Sequence, residues 1–318
     1  MHKSRKTEAK AVKKKLRSSV TLPFMIMLLP GLLVLLINNY IPMLGAVMAF
    51  QQYRFRTNFI NSLLTSKWVG FSNFKFLLRN PTLWINLRNT LGYNLVFIIL
   101  GMIVPVAFAI AMNEIWSSKL AKIYQTLLFL PYFLSWVVVS YLVFAVLQTN
   151  GALNSMILKP LGIQSVDWYR NIGFWPFLLV FLQMWKYLGY NSVVYLASLT
   201  GISSDYYEAA MIDGVGKWQQ IWYITLPMLK STIIILSLLA VGRIFNSDFG
   251  LFYNVPMGRS TLYPVTEVLD TFIYRGMRGT TDFGMPLASS MFQSIIGFIA
   301  IMSVNWIVRK LDPESALF

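Results

Sequence analysis

The chain has 318 residues, of which 56% are hydrophobic and only 12% charged. Soluble domains carry about 25% charged residues, and a mean hydropathy of +0.58 leaves too few polar groups to coat a soluble fold or to solvate a disordered chain. The formal charge is +15, with 0 Cys and 1 His, so disulfide scaffolds, thiolate metal sites, Cys nucleophiles, His triads and His metal clusters are excluded.

Residues 1–19 form a basic arm with eight Lys/Arg and one acid, Glu8. Such an excess of cations holds a segment on the cytoplasmic side of a membrane. Anionic headgroups attract it by about 1 kcal/mol per charge, which favours a lipid surface over nucleic acid as its partner. The apolar run that follows is longer than a signal-peptide core, and no small-residue cleavage pattern follows it.

A helix needs roughly 20 apolar residues to cross a bilayer. Six stretches qualify: Thr21 to Asn38, Leu91 to Met112, Tyr124 to Leu147, Phe174 to Leu199, Pro227 to Phe245 and Leu287 to Val308. Lipid offers the backbone no hydrogen-bond partner, so these segments are expected to be helices. The alternating strands of a β-barrel are not visible. Pro30, Pro105 and Pro176 are expected to kink or break their helices.

The expected class is an all-α polytopic membrane protein. Six transmembrane helices occupy a membrane domain over 20–310, and a short tail covers 311–318. With the arm inside, both termini are cytoplasmic. The loops at 113–123 and 200–226 then face the cytoplasm, and those at 39–90, 148–173 and 248–286 face outward. The outer loops carry eleven Lys/Arg, against the positive-inside trend, so the arm alone sets this orientation.

The loop over 203–227 reads as a helix, a break and a second helix. Asp205 and Glu208 have capping-box spacing. Asp213-Gly214-Val215-Gly216 interrupts the helix, because glycine tolerates turn geometry. Lys217 to Thr225 restarts one, with Trp218, Ile221, Trp222 and Thr225 expected on one side, and Pro227 suits the start of the next span. A short helix outside the membrane is a shape that another protein can grip; an interfacial linker has the same composition.

Glu208-Ala209-Ala210, Asp213-Gly214 and then Ile224, Leu226 and Pro227 are similar to the EAA motif of permease subunits of binding-protein-dependent ABC importers. Departures are Val215 for the usual Ala, Ile221 for a frequent Phe, and Ser203-Ser204 where a Pro is usual. Val69-Gly70-Phe71-Ser72-Asn73-Phe74 with Asn80-Pro81 and Asn89-Thr90, and Leu269-Asp270-Thr271-Phe272-Ile273-Tyr274-Arg275, resemble the carbohydrate branch, its complex-oligosaccharide subgroup in particular.

The resemblance implies a type I ABC importer permease fold in a bacterial plasma membrane. Glu208, Ala209, Ala210, Asp213, Gly214, Leu226 and Pro227 would form or support a cytoplasmic coupling helix that docks on an ATPase. It implies as partners a second permease in a heterodimer, an ABC ATPase dimer and an extracytoplasmic sugar-binding protein. ATP and Mg would sit on the ATPase, with no cofactor on this chain. The G-x-x-x-x-G-K-[ST] phosphate loop is missing: Gly214-Val215-Gly216-Lys217-Trp218 has the wrong spacing and ends on Trp.

Polar residues within spans are costly and mark a cavity or a partner helix. Gln183, Lys186, Tyr187, Tyr190 and Asn191 share one face of the fourth span, flanked by Trp185 and Tyr195. Amides, charges and aromatic faces suit a sugar, and a polar contact between helices uses the same groups. Arg243, Asn246 and Ser247 cluster in the fifth span, with Asp248 a weak ion-pair candidate for Arg243, and Gln293 lies in the sixth. Arg54, Arg56, Arg259, Arg275 and Arg278 fall on outer loops, as solvated charge or as sites for an acidic sugar or an acidic protein rim.

Two other function classes compete. A stand-alone secondary transporter or channel calls for carboxylates within spans, and none lies clearly inside one. A membrane-bound transferase calls for clustered carboxylates or His, and Glu267, Asp270 and Asp282 are scattered.

Overall fold

The computed structural model describes residues 23–54, 58–115, 118–279 and 282–311. The basic arm, Arg56 and residues 312–318 lie outside them. The protein is mostly helical, and its longest helices are α1 (Pro23–Phe50), α4 (Pro81–Asn113), α7 (Trp175–Thr200), α9 (Lys217–Val241) and α12 (Gly284–Leu311). Between α1 and α4 lie α2 (Phe59–Thr65) and α3 (Ser72–Arg79), with the two-residue strands β1 (Gln51–Gln52) and β2 (Lys67–Trp68) paired antiparallel. Next come α5 (Ser118–Phe133) and α6 (Trp136–Leu147), then α8 (Ser204–Ile212) after α7. Two outer helices, α10 (Phe249–Asn254) and α11 (Leu269–Gly279), separate α9 from α12.

Among the described residues α1, α4, α9 and α12 are long and apolar enough to cross a membrane, and α5 with α6 adds a fifth as a pair bent by 95°. The expected boundaries change in several places. The second span starts at Pro81, ten residues before the apolar run. Asn80 caps it by accepting from the Thr82 amide at 2.9 Å, and Pro81 occupies the first turn, where its missing N–H costs nothing. The added residues carry Asn86, Asn89 and Thr90, which are buried.

The third span is not one straight helix. It breaks between Phe133 and Trp136, and Ser135 caps α6 through the Val138 amide. Pro131 lies two residues before the break. Pro105 lies inside an uninterrupted α4, Pro176 sits in the first turn of α7, and Pro30 is followed by unbroken helix. The fifth span ends at Val241 rather than Phe245, and residues 242–248 leave the helix.

Pro42 and Pro227 each follow a π turn, Leu36–Tyr40 and Ile221–Thr225. The wider turn accommodates a residue that cannot donate to the ladder. It also inserts one residue into the periodicity. Thr225 therefore turns inward at 5% exposure while Trp218 and Trp222 stay outside at 76% and 64%, so the expected common side does not form.

The chief core joins α4, α6, α7 and α10 through Tyr93, Trp136, Val139, Trp175, Leu179 and Phe252. A second cluster, Val106, Ala109, Tyr195, Leu199 and Leu229, packs α4, α7 and α9 farther along. At Gly189 a Cβ would come within 2.3 Å of the Leu128 carbonyl oxygen, so glycine permits the contact of α7 with α5. The apolar side chains of α1 are exposed until Gly45, Met48 and Ala49.

The loops sort into two groups. At one end, Lys217 and Glu114 form a 2.8 Å ion pair that joins the 113–123 and 200–226 regions. At the other, the Phe283 amide donates to the Tyr53 carbonyl at 3.2 Å, Asn89 donates to the Pro264 and Glu267 carbonyls, and Arg259 stacks 4.6 Å from the Tyr169 ring centroid. These contacts unite the 39–90, 148–173 and 248–286 loops.

Lys186 holds the bend of α5 and α6. It is 5% exposed, and its Nζ donates to the carbonyls of Pro131, Tyr132 and Leu134 at the end of the broken helix, where the Pro131 carbonyl also accepts from the Leu134 amide. Lys186→Met keeps the bulk and removes the donor. It is expected to lower unfolding free energy by about 1–3 kcal/mol, the cost of a buried group left unsatisfied, read as a fall in melting temperature of the purified protein in detergent.

Candidate functional site

The sequence leaves the helix after Val241, and the resulting segment is tied from several sides. Asn94 of α4 donates through Nδ2 to the Ile244 carbonyl at 2.7 Å and the Asn246 carbonyl at 3.2 Å. Gln293 of α12 donates through Nε2 to the Phe245 carbonyl at 2.6 Å. The Ser247 amide donates to Asp270 Oδ2 at 2.7 Å, and Gln293 also reaches Asp270 Oδ1 at 3.2 Å. Asp248 ends the segment. Its Oδ2 accepts from Trp136 Nε1 at 2.8 Å and from the Tyr187 hydroxyl at 2.9 Å, and its Oδ1 accepts from the Leu251 amide to cap α10. Asp248 is thus a joint between α6, α7 and α10 rather than an ion-pair partner for Arg243.

A cavity of about 620 Å³ opens between α4, α7 and α9 beside this segment. Gln183, Tyr187, Tyr190, Asn191 and Tyr195 of α7 line it, with Arg243, Asn246 and Ser247 opposite and Asn94 on the α4 side. Of the sequence candidates, Lys186 and Gln293 are not in its wall. Lys186 is spent on the α5 bend, and Gln293 on the Phe245 carbonyl and Asp270. The α7 face therefore divides: one side lines a cavity and Lys186 makes a helix contact.

The wall has unspent polar capacity. Gln183 Oε1 and Ser247 Oγ are buried and have no protein partner. Arg243 and Asn246 are exposed. Tyr190 is 46% exposed and stacks on Tyr132, with centroids 4.5 Å apart and planes 6° from parallel. A volume in the range of small-ligand sites, free amide and hydroxyl groups and an aromatic shelf suit a ligand rich in hydroxyls.

Sequence reasoning missed Asn94 and the roles of Asp248 and Asp270. Asn86, Asn89, Thr90 and Asn94 recur at helical spacing, a detectable polar stripe. Thr90 Oγ1 accepts from the Leu269 amide at 2.9 Å, and the Tyr93 hydroxyl donates to the Val265 carbonyl at 2.7 Å. Nothing in the sequence announces which loop carbonyls the stripe meets. Glu267 and Asp270 sit at the end that gathers the 39–90, 148–173 and 248–286 loops, where burial pushes both carboxyls above their ordinary range, opposed by Arg275 beside Glu267 and by the Ser247 and Gln293 donors beside Asp270.

At the opposite end lies the 203–227 loop. Ser203, not Asp205, caps α8: its Oγ accepts from the Asp205 amide at 3.3 Å. Ser stands one residue ahead of the helix, while Asp205 is already inside its first turn. Glu208 and Ala209 are exposed and Ala210 is 8% exposed, turned toward the protein. Gly214 has φ of 76°, a left-handed conformation that favours glycine. The Val215 amide closes back on the Ala210 carbonyl at 2.9 Å, and Gln220 donates to the Val215 carbonyl at 3.0 Å. The Tyr207 and Thr225 hydroxyls lie 3.0 Å apart, fixing α8 against α9. Met211, Ile212 and Trp218 stand in the open at 55%, 87% and 76% exposure.

A helical membrane protein with a polar cavity beside a broken span belongs to the class that moves solutes across membranes. Residues 99–315 match the binding-protein-dependent transport system inner membrane component family, and the chain belongs to that family. It is 33% identical to Protein LplB of Bacillus subtilis over 91% of this chain and 89% of that one. It is 32% identical to the polygalacturonan/rhamnogalacturonan transport system permease protein YteP of Bacillus subtilis, over 91% and 88%. Its fold is similar, with TM-score 0.82 and 29% identity, to a chain of a bacterial ABC transporter involved in the import of the acidic polysaccharide alginate, covering 94% of this chain and 99% of that one.

The Asp248 joint has a measurable signature. Asp248→Ala leaves the Trp136 and Tyr187 donors unpaired and is expected to cost about 1–3 kcal/mol for each buried donor. Tyr187→Phe removes donor and bond together and is expected to cost about 1 kcal/mol. Thermal unfolding of both purified variants tests this order, and equal losses would contradict it.

Proposed function

We propose that this chain is one of two different permeases of an ATP-driven importer that carries an oligosaccharide through the α4, α7 and α9 cavity. The single observation that carries the reading is that one cavity gathers Gln183, Tyr187, Tyr190, Asn191, Tyr195, Arg243, Asn246 and Ser247 in its lining. Sugars present hydroxyls to amides and apolar ring faces to aromatics, and the wall offers both.

In this reading six spans cross the membrane: α1, α4, the bent α5 and α6 pair, α7, α9 and α12. Both termini are cytoplasmic. The sorting of the loops into two groups, one at each end, supports this sidedness. A separate sugar-binding protein delivers the ligand to the outer end, and an ABC ATPase dimer, which holds ATP and Mg, engages the inner end.

The coupling element is α8. Exposed Glu208 and Ala209 meet the ATPase, while Ala210 and Tyr207 anchor the helix to its own chain. Asp213 and Gly214 turn the chain toward α9, so that Leu226 and Pro227 carry displacement into the cavity-lining span. ATP-driven closure biases one of two arrangements of that rigid unit, which is how a local contact becomes a global change.

Uptake of labelled oligosaccharides by the reconstituted complex tests the path. Tyr190→Ala with Asn191→Ala is expected to raise KM about tenfold or more, with complex assembly and basal ATPase unchanged; unaltered kinetics would refute the cavity assignment. Gly214→Val forces a β-branched residue into a left-handed turn. It is expected to abolish stimulation of ATPase activity by the loaded binding protein while the cavity remains intact.

A further inference from the structure

Resting on the sugar-import reading, we propose that the outer face holds a second ligand site, upstream of the central cavity, for the carboxylate of an acidic oligosaccharide. The site is a cavity of about 580 Å³ between α6, α10 and α11, lined by Ser140, Tyr141, Tyr253, Tyr263, Arg275 and Arg278.

Both arginines sit against tyrosines, Arg275 over the ring of Tyr263 and Arg278 beside Tyr253 and Tyr274. The Arg275 guanidinium lies 3.7 Å from the Tyr263 ring centroid, and that of Arg278 lies 5.7 Å from the Tyr274 centroid. Stacking occupies the plane of a guanidinium and leaves its edge donors free. Arg278 uses one, donating from Nη1 to the Tyr253 hydroxyl at 3.1 Å. Arg275 has buried Nε and Nη1 atoms with no hydrogen-bond partner. Its ion-pair partner Glu267 stands 3.4 Å from Nη1, beyond the 2.7–2.9 Å of a charge-assisted bond.

Of the two guanidiniums Arg275 is paired with Glu267, and among the described residues the cavity's lining contains no Asp or Glu. A buried donor without an acceptor is unfavourable until an acceptor arrives. A carboxylate matches the guanidinium fork with two parallel bonds, which a hydroxyl does not. Tyr141, 62% exposed, gives a flat face for the C–H side of a pyranose ring. Fork and shelf together define a hexuronate residue.

The location suits a site on the path. Asp248 in the wall of the central cavity caps the six-residue helix α10, which ends at Asn254 in the wall of the outer one. At 1.5 Å per residue that is about 9 Å, less than two sugar rings in length.

The test uses the complete complex in nanodiscs, with trigalacturonate and its methyl ester as binding probes and the binding protein left out. Trigalacturonate is expected to bind, and the ester about tenfold more weakly or worse. Arg278→Gln, at an exposed position, is expected to weaken trigalacturonate about tenfold and to leave the ester unchanged. Arg275→Lys keeps the charge but loses the fork and is expected to act in the same direction. Equal losses for acid and ester would overturn the assignment. So would unchanged trigalacturonate binding with weaker docking of the binding protein, which would make the arginines a protein contact. Failure of wild type to bind trigalacturonate would also overturn it. Proteoliposome uptake of maltotriose and trigalacturonate then separates the two readings: maltotriose uptake leaves sugar import standing, and uptake of neither sugar defeats both.

Discussion

A backbone group at membrane depth has no water to bond, so every break in a span must be answered by a side chain. Among the described residues this protein breaks one span, at Leu134–Ser135, and ends another at Val241 with a non-helical segment over 242–248, and one knot answers both. Lys186 donates to the carbonyls at the break. Asp248, at the end of the non-helical segment, accepts from Trp136, which starts the helix after the break. The Lys186 Nζ lies 5.2 Å from the Trp136 ring centroid and in the field of the Asp248 carboxylate. Cation, indole and carboxylate thus join the break to the segment, and α7 supplies Lys186 and Tyr187 on successive residues.

The cavity follows from that knot. Because α9 stops at Val241, its last turns and the segment after it recede from α7 and leave Arg243, Asn246 and Ser247 facing the α7 tyrosines. Asn94 and Gln293 satisfy the freed carbonyls from two other helices, so the opening does not cost unpaired backbone. The polar stripe of α4 continues outward and pins the 264–269 turn. The cavity wall and the 264–269 turn are therefore fastened to one helix.

Much of this was legible in the residues. The EAA-like spacing located α8 and its glycine turn, because a left-handed residue and a pair of small residues are local demands that leave local marks. The polar face of α7 pointed to the cavity, since polar side chains within an apolar span have few alternatives. Lys186 was not separable from that face by sequence: its position differs by one residue from Tyr187, and only the bend of α5 brings three carbonyls to its Nζ. Pro131 lies just before that bend, whereas Pro105 leaves its helix intact and Pro176 sits in a first turn, where its missing N–H breaks no bond.

The sequence by itself determined the membrane class, most of the helical segments, the short helix and glycine turn of the 203–227 loop and the pool of polar residues within the spans. Hydropathy and motif spacing are properties of short windows, and short windows suffice for them. The tertiary structure decided which polar residues share a cavity, which ones answer broken backbone, and that Arg275 and Arg278 meet in one outer cavity. Those outcomes depend on pairs far apart in the chain, such as Asn94 with Ile244 and Trp136 with Asp248. No local rule encodes such a pairing, because it exists only once the helices have packed.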